Sequence, residues 1–160
     1  MTAIDPIDPI DPARRTVLAG LGTLALVLTP ALAACATPQA LAAAIAAFTG
    51  GATPGHGKVM LEVASLVDNG NTVPITVRVD SPMTASDYVV AIGVFNERNP
   101  DTGVVVFTLG ARAGKAEVST RIRMATSQKL VAVARMSDNR FWMHSADVVV
   151  ALAACIEGEA

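Results

Sequence analysis

Val73-Pro74-Ile75-Thr76-Val77-Arg78-Val79 alternates apolar and polar residues at every step. A period of two is the signature of a strand with one face in a core and the other in water. Val118, Thr120, Ile122 and Met124 alternate with Ser119, Arg121 and Arg123 in the same way, so a second strand is wet on one side. Other β-rich runs occupy residues 59–63, 88–95, 104–109, 129–136, 141–144 and 146–152. Between the runs lie turn signals: Asp68-Asn69-Gly70-Asn71, Asn99-Pro100-Asp101, Ala113-Gly114 and Ser137-Asp138-Asn139. Seven or eight short strands so punctuated predict an all-β protein, an immunoglobulin-like β-sandwich of two packed antiparallel sheets. Upstream, residues 38–48 are Ala-rich, with Thr37 placed to cap them and Thr49-Gly50-Gly51 to stop them. That pattern predicts a short N-terminal helix.

The first thirty-three residues read as an export leader. Arg14 and Arg15 stand before an apolar stretch at 17–28, interrupted by Gly20 and Gly22, and Ala31-Leu32-Ala33 supplies small residues for cleavage. The arginine pair points to the twin-arginine route; an ordinary secretory leader with two arginines is the alternative. Leu32-Ala33-Ala34-Cys35 also matches a lipoprotein cleavage site, which would make Cys35 a lipid anchor. The remaining option is that Cys35 stays near the new N-terminus and pairs with Cys155 in an oxidising compartment. The organisation expected is therefore a leader at 1–33, a helix and linker at 34–57, a sandwich at 58–152 and a tail at 153–160.

The chain has 160 residues and a formal net charge of -2. Loss of the leader removes two arginines and three aspartates and leaves ten basic and eleven acidic residues. This near balance gives no electrostatic reason to expect nucleic acid. Some 120 residues bury enough surface to fold without disulfides, which frees the two cysteines for other roles.

Chemical motifs are sparse. Residues 51–58, Gly51-Ala-Thr-Pro-Gly-His-Gly-Lys58, lack the first glycine of a phosphate loop and carry Val59 at its Ser/Thr position, so they read as a flexible connector. His56 and His144 have no second ligand at metal spacing, and no metal or cofactor is expected. Arg121 and Arg123 share a strand face able to hold an anion, although charged outer faces are ordinary in sandwiches. Trp142 reads as packing, and Asp87, Glu97 and Glu117 have no partner that spacing identifies. No Ser/His/Asp set and no carboxylate pair is present, so the chain is not expected to be an enzyme. Cys155 lies beyond the last expected strand, on a mobile tail from which a thiol reaches another protein's active site.

Several segments taken in order resemble the SoxY family of thiosulfate-oxidation carrier proteins. They are Phe48-Thr-Gly-Gly51, Asp68-Asn-Gly-Asn-Thr-Val-Pro-Ile-Thr-Val77, Asp80-Ser-Pro-Met83, Val94-Phe-Asn-Glu-Arg-Asn-Pro100, Gly114-Lys-Ala-Glu-Val-Ser-Thr-Arg-Ile-Arg123, Ser127-Gln128 and Met136-Ser-Asp138. The resemblance implies a periplasmic sandwich paired with SoxZ, a second β-sandwich subunit. It also implies a covalent carrier: a C-terminal cysteine within Gly-Gly-Cys-Gly-Gly holds a thiosulfate-derived sulfur adduct while separate sulfur-oxidising enzymes work on it. Cys155 is the matching position.

The tail departs from that motif. Ala153-Ala-Cys-Ile-Glu-Gly-Glu-Ala160 keeps the cysteine without its flanking glycines. Ile156 and Glu157 add bulk where glycine gives backbone freedom, and Glu157 and Glu159 repel an anionic substrate and favour the protonated thiol. The alternative reading is thus a diverged family member without carrier activity, a SoxZ-pairing or other periplasmic binding module for which Cys35 offers a lipid anchor. A thiol peroxidase or reductase ranks last, because the residues around Cys155 are acidic rather than basic.

Overall fold

The computed structural model describes residues 37–153. They form an immunoglobulin-like β-sandwich with one helix packed on its outside. Helix α1 (Pro38–Thr49) starts where expected, for the Thr37 hydroxyl accepts the N–H of Ala40 at 3.3 Å. It ends at Gly50, whose φ of 64° is the left-handed conformation glycine adopts at little cost.

Strands β1 (Val59–Glu62), β3 (Val73–Val79) and β6 (Glu117–Ile122) make a three-stranded antiparallel sheet in the order β1-β3-β6. The second sheet has the order β2-β8-β7-β4-β5, built from β2 (Leu66–Asn69), β8 (Phe141–Leu152), β7 (Gln128–Met136), β4 (Val89–Asn96) and β5 (Gly103–Thr108). All its pairings are antiparallel except β2 with β8.

The alternation that predicted the strands is the alternation that builds the core. Val73, Ile75, Val77 and Val79 point inward, and meet Ile92, Val94, Leu130, Ala132 and Val148 of the facing sheet. Ile92, Leu130 and Met124 are fully buried, each worth about 1.5–3 kcal/mol relative to exposure. A second cluster lies on the outer face of the larger sheet, where Leu41 and Phe48 of α1 cover Phe95, Val131, Val133, Phe141 and Met143. Phe48 meets Phe95 edge-on at 5.5 Å and Phe141 at 6.2 Å. Gly93 makes room for this, because a β-carbon there would stand 2.8 Å from the Phe95 ring and 3.3 Å from that of Phe48.

Three sequence expectations need correction. Residues 141–144 and 146–152 are one continuous strand, since Ser145 keeps its place in the ladder opposite Val131. Asp68 and Asn69, read as the start of a turn, close β2 instead; Asn69 pairs with Leu152 and the chain reverses only at Gly70. Residues 51–58 are a docked loop rather than a flexible connector. Gly55 donates its N–H to the carbonyl of Phe141 at 2.9 Å and accepts that of Met143 at 2.8 Å, while Lys58 lies 5.6 Å from the centre of the Trp142 ring. No helix among the described residues is long and apolar enough to cross a membrane.

Candidate functional site

The cysteine-bearing tail leaves the sandwich at the end of β8, and its root is held from three sides. Val149 donates its N–H to the carbonyl of Ser65 at 2.8 Å, and Val150 donates to the hydroxyl of Ser127 at 2.9 Å. The Leu152 carbonyl accepts the N–H of Gly70 at 2.8 Å, and the Gly70 carbonyl accepts that of Met124, also at 2.8 Å. These bonds tie the last strand to the β1–β2 connection, the β2–β3 turn and the β6–β7 loop. Cys155 follows three residues after Leu152, so its Cα lies within about 11 Å of that of Leu152.

Behind the root lies a partly buried amide network. Gln128 accepts the N–H of Arg98 at 2.7 Å and donates its Nε2 to the Asn99 side chain at 2.7 Å. Asn99 also accepts the N–H of Ala125 at 2.9 Å and donates to the Arg123 carbonyl at 2.9 Å. Asn96, wholly buried, accepts the Asn99 N–H at 3.3 Å, and its Nδ2 has no partner among the described residues. The network locks the β4–β5 loop against the β6–β7 loop, and so makes the end of the sandwich next to the tail root rigid.

Cys155, Cys35, Arg14 and Arg15 lie outside the described residues. Of the other side chains singled out, His144 accepts the N–H of Leu61 at its Nδ1, at 3.0 Å. His56 is exposed on the docked loop. Glu117 has a partner that sequence spacing did not suggest, Arg78, which also binds Glu62. The two carboxylates raise the affinity of the Arg78 guanidinium for its proton, Glu117 through its hydrogen bond and Glu62 through its charge. Asp87 accompanies the turn at Thr84, its N–H bonded to the Thr84 hydroxyl at 3.1 Å. Trp142 packs against the core as expected, beneath Lys58. Among the described residues no group of three His, Cys, Asp or Glu side chains could hold a metal ion.

The amide network and the root of the tail escaped the sequence reading of individual residues. The available signal was the clustering of Asn96, Asn99 and Gln128 at strand ends, where a buried amide has loop backbone to satisfy.

Comparison with known proteins bears on the same region. The family model described as sulfur oxidation protein SoxY matches residues 45–155, so the matched stretch ends on Cys155 itself. The solved structure of the sulfur carrier protein SoxY from Chlorobium limicola is 28% identical over 68% of this chain and 89% of its own, with a TM-score of 0.57. A superoxide reductase (neelaredoxin) from Ignicoccus hospitalis is similar over 72% of this chain and 94% of its own at 12% identity, TM-score 0.54, which shows a common fold alone. No curated protein sequence matches the chain.

Proposed function

The chain belongs to the SoxY family, and from that premise we propose that it is a sulfur carrier acting through Cys155 in thiosulfate oxidation. The family match running to position 155 carries this reading, and the clamped root of β8 agrees with it. A carrier arm needs a fixed base and a free end, and Ser65, Gly70 and Ser127 supply the base.

In the proposed cycle the Cys155 thiol and thiosulfate form a sulfur–sulfur bond. The thiol loses its proton, and two electrons pass to an oxidising haem enzyme that acts on the tail. Water then releases sulfate and leaves the sulfane sulfur on the cysteine. The chain itself holds and presents the adduct; the partner enzymes carry out the chemistry. A SoxZ-like β-sandwich subunit completes the carrier, and the leader with Arg14 and Arg15 delivers it to the periplasm by the twin-arginine route.

One observation favours a second reading. Ala153, Ala154, Ile156 and Glu157 stand where the family has glycine, which suits a binding module that pairs with SoxZ, anchored through a lipid on Cys35, without carrying sulfur. Reconstitution with SoxZ and the sulfur-oxidising enzymes separates the two. The carrier reading expects sulfate release from thiosulfate that is abolished by Cys155→Ser; the binding-module reading expects an intact complex and no sulfate.

A further inference from the structure

The outer face of the three-stranded sheet carries its charge unevenly. At one end Arg78 is bound to both Glu62 and Glu117, so that cluster has a net single negative charge. At the other end Arg121 and Arg123 are both exposed, two residues apart in an alternating pattern that sends them to the same side. Arg121 stands opposite Pro74 on β3, which offers no charge. Among the described residues neither arginine has a carboxylate within ion-pair distance. Two like charges side by side favour an anionic occupant of their face.

The root of the tail is close by. Leu152 and Met124 are bonded to the two sides of a single residue, Gly70, at 2.8 Å each, and Arg123 precedes Met124. From Leu152 the chain reaches Glu157 in five residues and Glu159 in seven, spans of up to about 17 and 24 Å. The acidic end of the tail is thus within reach of the arginine pair, and the charges match two for two.

We propose that Glu157 and Glu159 dock on Arg121 and Arg123, and that this contact parks Cys155 against the end of the sandwich until a partner displaces the tail. The two acidic residues that set this tail apart from the glycine-rich motif thereby acquire a role, as an electrostatic latch in place of unrestricted freedom. Docking also places guanidinium charge near the thiol and offsets the carboxylates beside it. Asp68 near the end of β2 and Glu97 and Asp101 on the β4–β5 loop lie at the same end of the sandwich. Arg121 is exposed on β6 and Arg123 just beyond its end, and among the described residues none of these carboxylates lies within ion-pair distance of either arginine.

The inference rests on the carrier reading only in treating Cys155 as the payload, so its test leaves sulfur loading aside. A nitroxide is attached to Cys155 of the processed protein in a Cys35→Ser background, and paramagnetic broadening of backbone amide signals is read by NMR. Docking predicts strong broadening at residues 119–123 at low ionic strength. Broadening should fall about threefold to tenfold in 0.5 M salt or with Glu157→Gln and Glu159→Gln, the range two exposed ion pairs support. The reversed pair, Arg121→Glu and Arg123→Glu, should also release the tail, and adding Glu157→Lys and Glu159→Lys should restore the contact. Broadening that is weak throughout, or indifferent to salt and to charge reversal, overturns the latch. Thiosulfate loading of the same protein judges the carrier reading independently.

Discussion

The Nδ1 atom of His144 on β8 accepts the backbone N–H of Leu61 on β1 at 3.0 Å, across the gap between the two sheets. Leu61 faces the core, and its N–H lies on the side of β1 away from its partner β3. A histidine for which the sequence showed no second ligand at metal spacing is therefore what satisfies an open strand edge. His144→Ala removes the acceptor and should destabilise the fold by about 0.5–1.5 kcal/mol. Denaturant unfolding gives the loss, and amide exchange at Leu61 should accelerate with it. Unchanged exchange at Leu61 would show that the bond does not form in solution.

Gly55 tests the docked loop. A β-carbon at this position would stand 3.0 Å from Cζ3 of Trp142, and the two bonds that hold Gly55 to Phe141 and Met143 leave the backbone little room to retreat. Gly55→Ala should cost about 1–3 kcal/mol by overpacking and lift the loop from the ring. Trp142 is the chain's single tryptophan, so its fluorescence reports the change as a shift to the red; an unshifted spectrum would mean that the loop is not held there.

The brace behind the tail is tested by Gln128→Ala. The substitution leaves the Arg98 N–H without its acceptor and Asn99 without one of its donors, a loss of about 1–3 kcal/mol. Hydrogen exchange should speed up at Arg98 and Ala125 well before β7 opens. Exchange that rises evenly across the sandwich would instead mark Gln128 as a packing residue.

The Ser137–Arg140 turn gives a pH signature. Asp138 accepts the backbone N–H of Arg140 at 3.0 Å, and this bond, followed by the bond from the guanidinium, holds its carboxyl below the ordinary aspartate range. A carboxyl that is a stronger acid when folded stabilises the fold above its unfolded value, and the contribution is lost as the pH falls through the folded one. The NMR titration of the Asp138 carboxyl should have a lowered midpoint, and Arg140→Ala should raise it. A midpoint unmoved by that substitution would show that the guanidinium bond does not form in solution. The group is fully exposed, so its effect is confined to the turn.

Much of this architecture was legible in the sequence because strand alternation and burial are the same fact seen twice. Val73 to Val79 and Val118 to Met124 declared their inner faces by composition, and Thr37 and Gly50 marked both ends of α1. β2 was missed because Leu66-Val67-Asp68-Asn69 is short, half polar and lies on a sheet edge, where Leu66 stays 62% exposed and no alternation develops. β8 was read as two strands because Ser145 and the exposed His144 interrupt its apolar run. The docked loop was misread because glycine signals freedom locally, whereas Gly55 is selected by the nearness of a ring far away in sequence. For the site, Cys155 was visible as an unexplained thiol beyond the last strand, and the family segments supplied the role proposed for it. Apart from the Ser127 hydroxyl that takes the Val150 N–H, the clamp consists of backbone bonds at Ser65 and Gly70, which no side-chain pattern encodes.

The central claim is that Cys155 carries sulfur despite the altered residues around it. The most direct measurement is the intact mass of the mature protein, purified with its SoxZ-like partner, before and after thiosulfate treatment in the presence of the oxidising haem enzyme, with Cys155→Ser alongside. The account predicts a gain equal to one thiosulfate in the native protein and none in the variant. An unmodified thiol in an intact complex would contradict it and leave a binding module whose tail no longer loads.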